Sequence, residues 1–358
     1  MAIPIIKSIR FLPPVAVARV GDSDQPLEAF TWDQDTRPFG AGQTIVVPRV
    51  SLEVLPNGSV EPYLPGAIRF RDGLAVRPVC PFLELWATVE GSEQSVPLTP
   101  RLLEEAGMEL AAVQVSIVAA NLKGQRQTNN PACGFEARLE VRADDFTRHD
   151  LWAWTHAPAD QPLVLKERPI WLGAVQSIRP RRSRRLDVSL DTIRIRFTPG
   201  RGAVYGPPSA TAGFLKGNRA TFEIVPPENR ILNQQSPWCS YDNTKVRYSY
   251  TTPNDVYDGN MDLNRGPVGW GVVDDCCDVL IIARLPQIIT AEGSPTPTAK
   301  ARVVVGPPHY SPDRRHLFSF ADDLADRNPN TLCERGREID KWTPAAEPVL
   351  KSTADTHL

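Results

Sequence analysis

Residues 185 to 199 read RLDVSLDTIRIRFTP, a stretch in which apolar and polar side chains alternate. The apolar residues that alternate with aspartate and arginine are Val188, Leu190, Ile193, Ile195 and Phe197. A period of two is typical of a β-strand with one buried face. At residues 191–192 the alternation shifts by one position, which predicts a β-bulge. The stretch therefore predicts half-buried β-structure.

Similar runs recur along most of the chain, for example PFLELWATVE at 81–90, QVSIVAANL at 114–122 and CDVLIIARL at 277–285. The 35 prolines are spread over the 358 residues, and scattered proline shortens helices and favours short strands joined by turns. We expect a mostly β chain of packed antiparallel sheets, with few short helices and long ordered loops. Its predicted core includes Val15, Val17, Val20, Leu83, Leu85, Ile117, Ile193, Ile195, Phe197, Leu280, Ile282 and Val304.

Two short helices are predicted. The first spans about 99–110, because Thr99 can cap it and Pro100 suits its first position. The second spans about 312–325. The β-rich domain is expected to cover residues 1–326, with an irregular excursion rich in tryptophan and arginine at about 142–185, and a tail at 327–358.

The charges of the chain nearly balance, since 40 basic and 42 acidic residues give a formal net charge of −2. No overall field would draw such a chain to nucleic acid or to an anionic membrane. The local exception, RPRRSRR at 179–185, is predicted to be a solvated connector. No apolar run reaches the ~18 residues of a membrane span, and the N-terminus lacks a signal-peptide pattern. These features predict a soluble cytoplasmic protein without nucleic-acid or membrane partners.

The sequence carries few motifs of known chemistry. Six irregularly spaced cysteines without a CxxC pair predict buried thiols instead of a disulfide scaffold. GxSxG, HExxH and Walker patterns are absent from the sequence. The glycine-rich FTPGRGAVYGPP at 197–208 lacks the lysine and the following helix of a phosphate-binding loop.

An acidic cluster is a stronger candidate for a functional site. Asp274, Asp275 and Asp278 lie near tight glycine turns, and loop carboxylates are the ligands that Ca²⁺ or Mg²⁺ prefers. Aspartates in such turns more often accept hydrogen bonds from backbone N–H groups. A metal site and a structural role both remain open at this point.

Four landmarks, in order along the chain, are similar to those of one family. They are PVAVARVGDS at 14–23, PGAIRFRD at 65–72, GWGVVDDCCDVLI at 269–281, and ARVVVGPPHYSPD with HLFSFADDL at 301–324. The set resembles the LodA-like quinoprotein oxidases, the lysine 6-oxidase and glycine oxidase group whose cofactor is cysteine tryptophylquinone. The resemblance implies that this chain corresponds to the N-terminal half of these enzymes.

The resemblance also carries expectations about individual residues. It implies that Arg19 ends a core strand and forms a structural ion pair with a buried carboxylate, Asp274 or Asp275. In the family, the cysteine and tryptophan of the cofactor lie in a C-terminal half that the landmarks do not reach. Trp238 and Cys239 are the remaining catalytic candidates, although adjacent side chains on an extended backbone diverge.

Two functions follow from these observations. In the first, the chain is a non-catalytic or half-enzyme β-scaffold that acts with a partner, either a second copy of itself or a protein supplying the missing half. Its tryptophans at 152, 154, 171 and 270 are then expected at the interface. In the second, the chain is itself a quinone-dependent amine or amino-acid oxidase, with cysteine tryptophylquinone built from its own tryptophan and cysteine.

Overall fold

The computed structural model describes residues 4–34, 44–158, 160–208, 225–239, 260–262, 266–268, 271–274, 278–286 and 296–306. Within these ranges the chain is mostly β, with two short α-helices and antiparallel pairing everywhere except between one pair of strands. The predicted fold class is confirmed.

The strands are β1 (Ile6–Leu12), β2 (Val15–Arg19), β3 (Phe30–Gln34), β4 (Thr44–Pro48), β5 (Ser51–Val54), β6 (Val60–Tyr63), β7 (Arg71–Asp72), β8 (Ala75–Val76), β9 (Phe82–Val89), β10 (Ser95–Pro97), β11 (Gln114–Asn121), β12 (Phe135–Arg142), β13 (Arg148–Ala153), β14 (Ile170–Ile178), β15 (Arg184–Arg185), β16 (Val188–Ser189), β17 (Arg194–Pro199), β18 (Val204–Tyr205), β19 (Asn260–Asp262), β20 (Gly266–Val268), β21 (Val272–Val273), β22 (Asp278–Arg284) and β23 (Thr298–Gly306). The helices are α1 (Pro100–Glu105) and α2 (Lys123–Thr128).

Two sheets enclose the main core. The six-stranded sheet has the order β1-β9-β17-β14-β13, with β10 also paired to β9. The five-stranded sheet has the order β12-β11-β22-β23-β2, and its β2–β23 pair is parallel. Their inner faces meet in one cluster, to which the first sheet contributes Leu85 and Phe197 and the second contributes Ile117 and Ile281.

The outer face of the six-stranded sheet is partly covered by the β5–β6 hairpin. Leu52 and Val60 of the hairpin pack against Phe82, Ile178 and Leu190 in a second, smaller apolar cluster. This hairpin positions one wall of a cleft that is described below.

The predicted core is partly confirmed and partly wrong. Seven of the predicted residues are buried: Val20, Leu83, Leu85, Ile117, Ile193, Ile195 and Phe197. Val15 and Val304 are instead 56% and 46% exposed, while Val17, Leu280 and Ile282 are half-buried. In β23, Val304 shares the outer face with two basic residues, and in β2 small alanines occupy the inner face. β2 is apolar on both faces, and β23 contains three consecutive valines, so alternation alone misassigns the buried face.

The predicted irregular excursion at 142–185 is wrong, because β13 and β14 within it form part of the six-stranded sheet. A register shift between Asp150 and Trp152 interrupts the period of two, which hides β13 in the sequence. Gly173, at a φ of 133°, lets β14 approach its neighbour, since a Cβ there would lie 2.2 Å from the Thr198 carbonyl oxygen. The predicted bulge at 191–192 is a break between β16 and β17.

The first predicted helix is confirmed but shorter than expected. The Thr99 hydroxyl accepts the Leu102 N–H at 3.2 Å, as a cap does, and α1 ends at Glu105 shortly before Gly107, whose φ is 75°. The second predicted helix, at 312–325, lies outside the described residues. Neither helix of the described ranges is long and apolar enough to cross a membrane.

Candidate functional site

Asp274, one of the predicted site residues, is fully buried directly after β21. Its Oδ2 atom accepts the Arg201 N–H at 3.0 Å, and its Oδ1 atom accepts the N–H groups of Gly202 at 2.6 Å and Ala203 at 3.1 Å. Successive backbone N–H groups of this kind form a concavity that binds anions. The glycine-rich loop that the sequence singled out therefore binds a carboxylate of the same chain.

Glycine is required at two positions of this loop. A Cβ atom at Gly200 would lie 2.6 Å from Cγ of Asp274, and Gly202 adopts a φ of 79°. Glycine tolerates the close approach at the first position and the positive φ at the second at little cost. Gly200 and Gly202 thus allow the loop to close around the carboxylate of Asp274.

Arg19 is buried at the end of β2, near the same loop. One terminal guanidinium nitrogen donates to the Arg77 carbonyl oxygen at 3.3 Å, and the Gly21 N–H donates to the Gly200 carbonyl oxygen at 3.4 Å. Arg19 and Asp274 are therefore both buried near the 200–203 loop. Their ion pair stays a prediction, and Asp275 lies outside the described residues.

Asp278, the third acidic candidate, begins β22 and is partly exposed. It forms an ion pair with Arg126, with 2.8 Å between the guanidinium nitrogen and the carboxylate oxygen. Across the described ranges, no three acidic, histidine or cysteine side chains lie close enough together to hold a metal ion. The metal site stays a prediction.

The charge of Asp274 affects a neighbouring phenol. Tyr205, in β18, pairs with β21 just before Asp274. Burial, and secondly the negative charge of Asp274, raise the pKa of Tyr205 to about 12. The hydroxyl group is therefore neutral over the physiological range.

Trp238 and Cys239, the catalytic candidates, are both buried. The indole Nε1 of Trp238 donates to the Gly271 carbonyl oxygen at 3.0 Å. Burial, and secondly the nearby Cys133, raise the pKa of the Cys239 thiol to about 12. Gly124 of α2 lies against both Trp238 and Cys133, since a Cβ there would be 3.3 Å from Cδ2 of the first and from Cβ of the second. Trp238 and both cysteines thus belong to one buried cluster.

Among the described cysteines, Cys133 and Cys239 are buried and Cys80 is half-buried, and none of the three forms a disulfide. Three of the four tryptophans expected at an interface lie in the described ranges, and they differ in exposure. Trp152 is 48% exposed, whereas Trp154 and Trp171 are half-buried. Trp270 lies outside the described residues.

The 179–185 run is an exposed connector, as predicted, and four of its five arginines form ion pairs. Arg182 pairs with Glu104, Arg184 pairs with Asp187, and two further arginines of the run contact Glu61. Such exposed pairs contribute little to stability.

An arginine-lined cleft of about 760 Å³ was not predicted from the sequence. It lies between the turn of the β5–β6 hairpin, the loop at 144–147 and the outer face of the six-stranded sheet, and its cationic side chains are Arg148, Arg179 and Arg196. The only sequence signal for it is the position of Arg196 on the polar face of the stretch RIRF. The other residues come together through strand pairing.

Comparison with protein-family models gives no match, and comparison with curated proteins gives none either. Among solved structures, the chain is similar to the epsilon-lysine oxidase from Marinomonas mediterranea, with a TM-score of 0.41 and 12% sequence identity. The similarity covers 91% of this chain and 40% of the oxidase chain.

Proposed function

We propose that this chain is a β-scaffold module, distantly related to the N-terminal half of the LodA-like oxidases, that acts with a partner chain instead of performing catalysis itself. The proposal rests on the role of Asp274, which lies in the most acidic landmark of the resemblance. Its carboxylate accepts three backbone N–H groups in a buried loop. Such an arrangement fixes the backbone and leaves the carboxylate with a structural role.

The outer face of the five-stranded sheet supports a role in binding. Half-buried Val17 is opposite exposed Val304, and the neighbouring strand adds Leu280 and Ile282. Basic side chains on β22 and β23 flank these apolar residues. Apolar surface rimmed by polar residues is typical of protein-interaction sites.

The second candidate function, a quinone-dependent oxidase, is favoured by one observation. Trp238 shares a buried cluster with two thiols, and Cys133 is a better-placed neighbour than the adjacent Cys239, because Gly124 lies against both Cys133 and Trp238. A thioether between a cysteine and a tryptophan would need such proximity. The oxidase proposal therefore uses Trp238 and Cys133.

Intact mass and absorbance of the purified chain distinguish the two functions. The scaffold proposal expects the mass calculated from the sequence under denaturing, reducing conditions, and no visible absorbance. Crosslinking and oxidation of tryptophan would change the mass by a fixed amount and add a quinone absorbance band. A modified mass that returns to the sequence value in Trp238→Phe and Cys133→Ala would overturn the scaffold proposal in favour of the oxidase.

A further inference from the structure

We propose that the cleft between the β5–β6 hairpin and the six-stranded sheet is a binding site for a small anion that carries carboxylate or phosphate oxygens. The site is independent of the scaffold proposal. Its cationic residues are Arg148, Arg179 and Arg196.

Strand pairing places two of the arginines in one row. Arg148 of β13 is directly opposite Gln176 of β14, and Gln176 is directly opposite Arg196 of β17. Directly paired residues point to the same face of a sheet. The row therefore crosses three adjacent strands, and its two outer members are cationic.

Each guanidinium lies against an aromatic ring. The distance from the guanidinium carbon to the ring centroid is 5.7 Å for Arg196 over Phe82, 5.9 Å for Arg148 over Trp171 and 4.1 Å for Arg179 over Phe146. Stacking of this kind restricts the side chain while leaving its N–H donors available. Backbone contacts also fix Arg179, since its N–H and its Nε donate to the carbonyl oxygens of Gly58 and Asn57.

The carboxylates that face the cleft already have partners of their own. Asp144 receives two hydrogen bonds from Arg142, at 3.0 and 3.2 Å. Asp145 accepts from Thr147 and contacts His149 at 2.9 Å, and these groups lower its pKa, with the Thr147 hydroxyl contributing most. Asp144 is thus paired with an arginine, and Asp145 has hydrogen-bonding partners on its own loop.

The arginines are not compensated to the same degree. Arg148 has only a 3.8 Å contact with the exposed Asp150. Within the described part of the chain, Arg179 and Arg196 have no carboxylate within 4 Å, and the buried Nε of Arg196 has no hydrogen-bond acceptor. The Arg196 side chain also hydrogen-bonds to the Cys80 thiol, a neutral group whose pKa is raised by burial, so this contact supplies no negative charge. The cleft therefore has an excess of positive charge.

The chemistry of guanidinium groups selects the ligand class. A planar guanidinium presents paired N–H donors that match the oxygens of a carboxylate or a phosphate. A cleft of about 760 Å³ has the size of small-molecule sites in general. A small organic acid or a phosphate compound satisfies both conditions.

Titration calorimetry of the full chain with sodium phosphate and with sodium succinate, at constant ionic strength, tests the proposal. We expect saturable binding of at least one anion. Arg196→Gln and Arg148→Gln should each weaken it about tenfold or more, which corresponds to about 1.4 kcal/mol. Arg138→Gln is the matched control, since it removes an exposed arginine from the other sheet and should leave the affinity unchanged.

Each result decides the question. Stronger binding of phosphate assigns the phosphate class, and stronger binding of succinate assigns the carboxylate class. No saturable binding of either anion, equal affinity in wild type and both cleft variants, or an equal loss in Arg138→Gln would overturn the proposal. If Arg196→Gln fails to fold, as shown by circular dichroism, the partly exposed Arg148 gives the deciding variant.

Discussion

At the scale of single residues, Arg19 tests the structural interpretation of the landmarks. It is buried at the end of β2, whereas Arg184 in the 179–185 run is exposed. Removing one member of a buried ion pair leaves the other charge uncompensated, at a cost of about 3–5 kcal/mol. Arg19→Met should therefore lower the free energy of unfolding by that amount, and Arg184→Met should change it by less than about 1 kcal/mol. Urea denaturation measures both, and equally mild effects would contradict the buried ion pair.

Tyr205 predicts how stability depends on alkaline pH. Its pKa rises from its ordinary value of 10.0 to about 12 on folding. Between these values the unfolded state loses a proton that the folded state retains, so stability is intact below pH 10 and falls as the pH rises towards 12. The loss attributable to Tyr205 is about 2 kcal/mol.

Thermal unfolding between pH 8 and pH 12, in wild type and in Tyr205→Phe, checks this dependence. The variant should lose less stability over the alkaline range, although the Cys239 thiol contributes a decline in the same direction. Tyr63→Phe, at a more exposed tyrosine, is the control and should change the slope less. If stability falls equally steeply with pH in wild type and in Tyr205→Phe, the pKa of Tyr205 is not raised in the folded state.

At the scale of elements, the sequence predicts strands better than the faces they bury. The alternation in 193–197 is strict because arginines separate the apolar residues, and it correctly identifies Ile193, Ile195 and Phe197 as core. In β22 and β2 both faces are apolar, so the buried face depends on which neighbours pack there. The cap of α1 was predictable because Thr99 and Pro100 act locally.

The candidate site was less predictable for the same reason. Hydrogen bonding of Asp274 to backbone N–H groups was one of two open alternatives, but the loop that supplies them lies far away in sequence. The arginine row requires three strands from separate parts of the chain to pair in a particular register. Long-range register is set by tertiary packing, which local patterns do not encode.

The register of β23 gives a test on neighbouring residues. Val303 faces the core and is fully buried, while Val304 faces outward and is opposite Asp278 on the adjacent strand. Val303→Lys would bury an unpaired charge and should destabilise the fold by more than about 4 kcal/mol. Val304→Lys should stay within about 0.5 kcal/mol of wild type. Chemical denaturation of both variants measures this, and a reversed order would contradict the register.

At the scale of the whole molecule, the same exposed strand face bears on partners. The six-stranded sheet already has the β5–β6 hairpin on its outer face, whereas the outer face of the five-stranded sheet presents Val15 and Val304 with half-buried apolar neighbours. Burial of such a face would release water from apolar surface, the main driving force of association. Association through this face is the form of partner binding that the scaffold proposal favours.

Analytical ultracentrifugation of the chain at micromolar concentration tests that association. If a second copy occupies the five-stranded face, wild type should sediment as a dimer or larger species. Val304→Lys should sediment as a folded monomer, because binding would strip water from a charge at the centre of the contact. Trp152→Ser is the control, since Trp152 is equally exposed but lies on β13, at the edge of the other sheet. A dimer that survives Val304→Lys and dissociates in Trp152→Ser would move the interface to the six-stranded sheet. A monomeric wild type would exclude a second copy as the partner and leave the proposed role to a different chain.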